Sequence, residues 1–193
     1  MAKRILIIEG HPDPAASHFN AALAEAYAQG AREGSHEVRR IRVGALDFPI
    51  LRDVADWSTG LPPAAISEAQ ADVRWSEHLV VLYPLWLGDM PALLKGFFEQ
   101  IARPGFAFLP ESRGFPKGLL GGRSARVIVT MGMPAFIYHW YFHAHSLKSL
   151  QHNILEFVGI RPVRTTVVGM VEGNTDARRK QLIRVQNLGR RGI

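Results

Sequence analysis

The sequence predicts an α/β fold: a doubly wound sheet of five parallel strands with helices on both faces. Three observations predict it. Short apolar runs alternate with helical segments, the segments between successive runs are long enough for helical crossovers, and no repeat or low-complexity tract divides the chain. A chain of 193 residues with 47% hydrophobic residues can bury one substantial core and is short for two. We therefore expect one domain over residues 1–193.

Five segments have the composition of strands, and helical patterns lie between them. The strands are expected in Arg4–Glu9, His36–Val43, Glu77–Trp86, Ser124–Gly132 and Val163–Val171. Helices are expected over Phe19–Gly34, Pro91–Ile101 and Ser146–Gly159, with proline suited to the first helical position. Two long irregular segments, Gly44–Pro63 and Arg103–Gly122, are of a length that usually serves function or assembly.

Charge and composition exclude several classes of protein. The net charge of +6 equals the six cationic residues of the stretch from Arg178 to Ile193, which has no acidic residue. A solvated basic helix and tail explains them, and a phosphate-bearing ligand or an acidic partner surface is the alternative. No nucleic-acid-binding motif is present, so we expect no such partner. The absence of cysteine excludes disulfides and thiolate metal sites. With no apolar run long enough for a signal peptide or a membrane span, we expect a cytoplasmic protein.

The stretch Ile7–Leu23, "IIEGHPDPAASHFNAAL", runs from the first strand into the first helix. It contains neither Walker A nor G-x-G-x-x-G. Phosphate can still be bound by the free N–H groups of a helix N-terminus, helped by imidazole, hydroxyl and amide side chains. His11, Ser17, His18 and Asn20 supply those groups. The alternative is that Ser17 only caps the helix and both histidines are exposed.

A second turn follows the third strand. Pro84, Leu85, Trp86 and Leu87 leave that strand before the next helix begins. When the third strand lies beside the first, both turns border one crevice at the carboxyl edge of the sheet. A flat apolar wall beside a phosphate cradle suits a flavin. The alternative is that Pro84 and Trp86 pack in the core around the strand end.

Two motifs identify a family. "HPDPAASHFNAAL" and "YPLWLGDMPALLKGFFEQIARPGFAF" resemble the NAD(P)H:quinone oxidoreductases, flavodoxin-like flavoproteins that include regulatory subunits of potassium-efflux systems. The resemblance runs from Lys3 to about Met170 and implies a flavodoxin-like fold. It also implies that the first turn, including His11, Ser17, Phe19 and Asn20, binds the flavin phosphates, and that Pro84–Leu87 lies along the isoalloxazine ring.

The chain departs from the family pattern after the fourth strand. The relatives carry Thr-Thr-Gly-Gly there, in contact with the polar edge of the flavin, whereas this chain has Thr130-Met131-Gly132-Met133. Thr130 and Gly132 are therefore the flavin-binding candidates of this turn. A single bulky residue, Trp86, followed by Leu87 replaces the two consecutive bulky residues common in relatives, which predicts a thinner wall.

The resemblance further implies an activity. NAD(P)H would reduce the bound flavin and leave, and a quinone or similar acceptor would then be reduced at the same face. FAD is the expected cofactor, because the arginines of the tail suit its second phosphate, and FMN is the alternative. Tyr138 and His143, with His145 in reserve, occupy the positions of the tyrosine and histidine that donate hydrogen bonds in quinone-reducing relatives. The alternative is that these side chains serve packing and backbone contacts.

The resemblance also implies a homodimer with its active site at the subunit boundary. The apolar stretch Phe136–Phe142, "FIYHWYF", is the candidate boundary, and a buried helix start is the alternative. A second function stays open: a redox-sensing regulatory subunit, associated peripherally with a transporter, that binds flavin with little turnover. His139, His143 and His145 have spacings seen in metal sites, but no acidic ligand or base follows, so we expect no metal.

Overall fold

The computed structural model describes residues 1–15, 17–110 and 116–193, and its centre is a five-stranded parallel sheet. The strands are β1 (Arg4–Glu9), β2 (Glu37–Arg42), β3 (His78–Pro84), β4 (Phe108–Leu109), β5 (Lys117–Gly118), β6 (Ser124–Thr130) and β7 (Val163–Val168). The sheet order is β2-β1-β3-β6-β7, and β4 and β5 form a separate short antiparallel pair. Every neighbouring pair in the five-stranded sheet is parallel, so the predicted fold class is confirmed.

Helices connect the strands on both faces of the sheet. They are α1 (Phe19–Glu33), α2 (Val54–Thr59), α3 (Ala64–Trp75), α4 (Ala92–Ile101), α5 (Ala135–Trp140), α6 (His145–Ser149) and α7 (Thr175–Arg190). A 3₁₀ turn covers Val43–Ala45, and π-helical turns over Leu150–Glu156 extend α6. Helix α3 was not predicted from the sequence, because its inward stripe contains only two large aliphatic side chains, Ile66 and Val73, beside Ala69 and Gln70. None of the described helices is long and apolar enough to cross a membrane.

The alternation of side chains along β1 divides the core in two. Ile5 and Ile7 face α1 and α7, whereas Leu6 and Ile8 face the opposite layer, which includes α3 and α4. All four side chains are buried, as expected for a central strand covered on both faces. This packing fixes β1 and the turn that follows it.

The basic C-terminal segment is helical and its six cationic residues are exposed, as expected, but the segment also packs on the core instead of forming a free tail. Helix α7 packs closely on α1: a Cβ placed on Gly30 would lie 1.9 Å from the Gln186 carbonyl oxygen. Val185 is fully buried, and the Ile193 carbonyl oxygen accepts a 2.7 Å hydrogen bond from Arg126 Nε. The segment therefore closes one side of the core and the amino edge of the sheet.

The two irregular segments are partly ordered by one buried cation. Arg103 donates to the Gly60 carbonyl oxygen at 3.0 Å and to Gln100 Oε1 at 2.7 Å, and it also contacts Asp56 of α2. The first segment, 44–63, thus contains α2 and is tied to the end of α4. The second, 103–122, contains β4 and β5, while its residues 111–115 lie outside the described residues.

Candidate functional site

Three turns meet at the carboxyl edge of the sheet, because β1, β3 and β6 are neighbours there. Asn20 Nδ2, in the first turn of α1, donates to Thr130 Oγ1 at the end of β6, at 3.3 Å. The Leu85 N–H, just beyond β3, donates to the Thr130 carbonyl oxygen at 2.8 Å. The ring centroids of His11 and Trp86 are 5.7 Å apart and nearly perpendicular. The two turns predicted from the sequence therefore border one crevice, with Thr130 linking them to the third.

The N-terminus of α1 is left without a side-chain cap. The N-cap residue is His18, whose side chain makes no capping hydrogen bond, and the first turn holds no acidic residue. Exposed Ser17 lies one residue before the cap, so the alternative in which Ser17 caps the helix is not what the structure shows. Among the residues that the structure describes, no side chain pairs with the first N–H groups of this 15-residue helix, so they and the positive end of its dipole are available at the crevice.

Asn20 is the buried polar group of this turn. Its side chain is 3% exposed, and Oδ1 has no hydrogen-bond partner among the residues that the structure describes. Exchanging the oxygen and nitrogen of the amide would still leave one of its two polar atoms unpaired. A buried, half-satisfied amide costs free energy unless a ligand or a water completes it.

His11 and His18 form a stacked pair at the mouth of the turn. Their ring centroids are 3.8 Å apart with an interplanar angle of 15°. Asp13 organises the pair: its N–H donates to His11 Nδ1 at 3.1 Å, and its Oδ2 lies 3.0 Å from His18 Nε2. Burial, reinforced by the neighbouring His18, lowers the pKa of His11. The hydrogen bond from the Ala15 N–H is the main reason that the pKa of Asp13 is lowered.

The second turn projects its side chains outward. Pro84 and Leu85 are half-buried, whereas Trp86 is 49% exposed and Leu87 is fully exposed. The alternative in which Trp86 packs in the core around the strand end is therefore wrong. Two backbone hydrogen bonds between Trp86 and Asp89, of 2.9 and 3.0 Å, close the turn. Leu87 stands at its tip with a φ of 47°.

The third turn contains both a buried and an open position. Thr130 is buried and already hydrogen-bonded by Asn20, so its hydroxyl also supports the first turn. Gly132 is exposed, and a Cβ there would have Glu172 Oε1, at 3.9 Å, as its nearest neighbour. The backbone at Gly132 is thus accessible to a ligand from the crevice.

The predicted catalytic side chains occupy different environments. Tyr138 is 0% exposed; its hydroxyl lies 2.6 Å from Ser146 Oγ and accepts a hydrogen bond from the Leu147 N–H. These contacts favour the packing alternative for Tyr138. His143 and His145 are exposed, with ring centroids 5.7 Å apart. Within the described ranges no group of three His, Asp or Glu side chains is arranged to hold a metal ion.

Two features of the site were missed from the sequence. Asp13 was passed over, although an Asp-Pro pair after a strand is typical of a turn that the aspartate initiates. The guanidinium of Arg178, from the first turn of α7, lies 4.7 Å from the ring centroid of Phe19 at the start of α1. No sequence spacing links these two residues, because the contact depends on how α7 packs against α1.

An apolar cavity of about 360 Å³ lies away from this crevice. Trp57, Phe98, Phe108, Ile154 and Phe157 are among its lining residues, and none of the predicted site residues is. Because α4 runs back from the carboxyl edge, its lining residue Phe98 lies toward the opposite edge of the sheet. Size alone would favour this cavity, but its lining is mostly apolar, and the two charged side chains in it, Lys95 and Glu99, pair with each other.

The comparisons with known proteins agree with this geometry. A sequence family described by its flavodoxin-like fold matches residues 3–188. An uncharacterized NAD(P)H oxidoreductase of Haemophilus influenzae is 28% identical over 182 residues, which cover 92% of this chain and 89% of the relative. An FMN-dependent NADH:quinone oxidoreductase of Nitratidesulfovibrio vulgaris is 28% identical over 185 residues, 85% of each chain. The crystal structure of the Streptococcus mutans protein Smu.1420 has a TM-score of 0.80 at 28% identity and covers 97% of this chain and 99% of that one.

Proposed function

Since this chain belongs to the flavodoxin-like fold family that matches residues 3–188, we propose that it is a flavin-dependent dehydrogenase that oxidises NAD(P)H and reduces a quinone or a similar acceptor. The observation that carries the proposal is the meeting of three turns at one crevice, joined by the hydrogen bond between Asn20 and Thr130. We further propose that residues 1–193 act as one flavin-binding domain.

The residues of the crevice fit a flavin. The uncapped N-terminus of α1 and the half-satisfied amide of Asn20 suit a phosphate, with Ser17, His11 and His18 at its sides. Phe19 is the first residue of the helix, and the guanidinium of Arg178 packs against its ring in a cation–π contact. When bound, the flavin supplies the chemistry of accepting and donating a hydride.

The other two turns are proposed to hold the ring system. Pro84 and Leu85 form the half-buried base of the wall, and Trp86 and Leu87 are its exposed part. Thr130 and the open backbone at Gly132 suit the polar edge of the ring, where hydrogen bonds stabilise developing charge. The exposed imidazoles of His143 and His145 are the remaining side-chain donors that we propose for that edge.

FMN, rather than the FAD first expected, is the proposed cofactor. The expectation of FAD depended on the arginines of the basic segment. Arg190 pairs instead with Glu33, the last residue of α1, and 15 helical residues place that end about 20 Å from the first turn. Of the basic residues in this segment, it is Arg178 that contacts the first turn, through the ring of Phe19. The FMN-dependent relative from Nitratidesulfovibrio vulgaris supports the same choice.

The assembly and location of the protein are also proposals. Phe136, Trp140 and Tyr141 are exposed beside the third turn, which supports the Phe136–Phe142 stretch as the boundary of a homodimer. We propose a cytoplasmic enzyme with a small-molecule acceptor and no nucleic-acid partner. Peripheral association with a transporter belongs to the alternative function, a redox-sensing subunit with little turnover.

Absorption spectroscopy of the purified protein tests the flavin directly. We expect a yellow, non-covalent cofactor that heat or acid releases and mass spectrometry identifies as FMN. Protein that stays colourless after incubation with FMN and with FAD would overturn the proposal. Tight binding of FAD alone would reverse only the choice between the two flavins.

Steady-state oxidation of NADH and NADPH, with and without a soluble quinone, then separates the two functions. We expect turnover that depends on both the nicotinamide and the quinone. Flavin-loaded protein that reduces its flavin once but shows no sustained turnover would support the redox-sensing subunit instead.

A further inference from the structure

The stacked rings of His11 and His18 lie beside the N-terminus of α1, where a bound phosphate would favour protonation of an imidazole. His11 and His18 are in ring-to-ring contact, so two protonated rings would repel each other at 3.8 Å. Without a ligand, burial and this neighbour hold down the pKa of His11. A dianionic phosphate beside the pair would favour the protonated form of one ring.

The charged groups around the pair come from four elements. Asp13 in the turn favours protonation, and the positive end of α1 opposes it. Glu9, at the end of β1, is buried and already bound to Arg40 of β2, so these two charges largely cancel. Arg42, at the end of β2, lines the same pocket and adds positive charge. The positive and negative charges around the two imidazoles therefore partly offset each other, and a bound anion would shift this balance toward protonation.

We propose that His11 and His18 act as one proton-accepting unit, positioned by Asp13, and that the flavin phosphate binds together with a proton. This inference depends on the proposed function, because it assumes that a flavin phosphate occupies the first turn. The proton comes from solvent and is held on an imidazole nitrogen, and no other bond changes. By linkage, a site that takes up a proton on binding must bind more tightly as the pH falls.

The test measures flavin affinity from pH 8.5 to pH 6.5, by the change in flavin fluorescence on titration of flavin-free protein. FMN is compared with riboflavin, which lacks the phosphate. The phosphate remains mostly dianionic over this range, because its second pKa is about 6. We expect the Kd of FMN to fall about 10-fold toward pH 6.5, which requires a pKa shift of somewhat more than one unit because the titration is incomplete within this range. The Kd of riboflavin should change less than 2-fold.

Variants separate positioning from a purely structural role. The double variant His11→Gln, His18→Gln keeps polar side chains but has no imidazole to titrate, and Asp13→Asn keeps the shape but removes the charge; both should reduce the pH dependence to less than 3-fold. His152→Gln, on an exposed helical position, is the matched control and should keep the full 10-fold change. Circular dichroism confirms that each variant is folded.

The outcomes distinguish the two proposals. FMN that binds with the same affinity at every pH would overturn the proton-coupled site and leave the proposed function intact. Equal pH dependence for FMN and riboflavin, or a full 10-fold change in the double variant His11→Gln, His18→Gln, would likewise overturn it. Failure of FMN and FAD to bind at any pH would overturn the proposed function itself.

Discussion

The two edges of the sheet are closed to different degrees. At the amino edge, Arg126 binds the Ile193 carbonyl oxygen and Thr166, and Lys3 Nζ donates to the Gly192 carbonyl oxygen at 2.7 Å. At the carboxyl edge, α1 begins without a cap, Asn20 keeps an unpaired atom among the described residues, and the side chains of the second turn face outward. The same parallel sheet thus has one edge that its own chain completes and one that a ligand can complete. Changes at the first edge should cost stability, and changes at the second should cost binding or rate.

Removing the closing segment should have the largest effect. Deletion of 189–193 takes away the carbonyl partner of Arg126, a side chain that is 6% exposed. The deletion also takes away the carbonyl acceptors of Tyr27 and Lys3. Hydrogen bonds to charged groups contribute about 1.5–3 kcal/mol each, so we expect the free energy of unfolding to drop by about 3 kcal/mol or more. Urea denaturation measures it. A truncated protein with unchanged stability would contradict this expectation.

The contact between α1 and α7 offers the next test. Gly30→Ala places a methyl group 1.9 Å from the Gln186 carbonyl oxygen, and relief of that clash must separate the helices. We expect a loss of about 2–3 kcal/mol. Gly96→Ala is the matched control, since this buried glycine in α4 has its nearest neighbour at 3.9 Å. It should be neutral or gain up to about 1 kcal/mol from helix propensity. Equal effects in both variants would contradict the close contact.

Acid should weaken the amino edge through His78. Burial, with help from Lys3 and Arg126, lowers the pKa of His78 to about 3, whereas the unfolded chain has an ordinary value near 6.5. Between these values the unfolded state binds the proton and the folded state does not, so stability falls as the pH falls. The loss from pH 7 to pH 5 should reach about 2 kcal/mol. His78→Asn should remove this slope in denaturation curves, while His152→Asn should keep it.

Two variants near the third turn should affect different properties, one the rate of flavin reduction and the other the stability of the fold. We expect His143→Ala to slow reduction of the flavin by NAD(P)H about 10-fold, as for a lost hydrogen-bond donor or acid. Tyr138→Phe should keep the parental rate but lose about 1 kcal/mol of stability, because its hydroxyl binds Ser146 and the Leu147 N–H. Stopped-flow absorbance and thermal melts measure the two effects. A slow Tyr138→Phe variant of normal stability would return Tyr138 to a catalytic role.

The smallest expected effect concerns the amide at the first turn. Asn20→Ala should weaken FMN binding by about 1 kcal/mol, or about 5-fold in Kd, and Ser17→Ala by a similar amount. Ser17 is exposed and makes no cap, so its variant should leave stability unchanged, whereas Asn20→Ala also loses the bond to Thr130. Fluorescence titration of the flavin, beside thermal melts, separates these losses. Unchanged affinity in both variants would remove them from the proposed site.

The sequence predicted the sheet better than the parts that cover it. The central strands were found because buried parallel strands are short apolar runs, and Ile5–Ile8 is such a run. The second strand was found instead from its alternation of polar and apolar side chains. The segment 64–75 was not identified as a helix, since its inward stripe relies on alanine and glutamine as much as on Ile66 and Val73. The close contact of Gly30 with α7 could not be predicted either, because it joins residues that lie far apart in the chain.

In the candidate site, too, the position of the turns was predictable from the sequence, whereas the roles of individual side chains were not. Both turns were found because topology brings the ends of β1 and β3 to one edge. The roles within "FIYHWYF" were not, because an apolar stretch does not say which of its rings faces the core: Tyr138 is buried, whereas Phe136 and Trp140 are exposed. The pairing of His11 with His18 through Asp13 depends on the folded turn and has no periodicity to reveal it.

The turn at Trp86–Asp89 also bears on how such a protein can diverge. Its shape is set by two backbone hydrogen bonds and by positive φ values of 47° at Leu87 and 81° at Gly88, not by packing of the side chain at the tip. A new residue at position 87 would therefore alter the wall of the crevice without disturbing the core, and asparagine or glycine would also relieve backbone strain. Under the proposed function, substitutions at this tip would change which acceptors fit against the wall while the protein still folds.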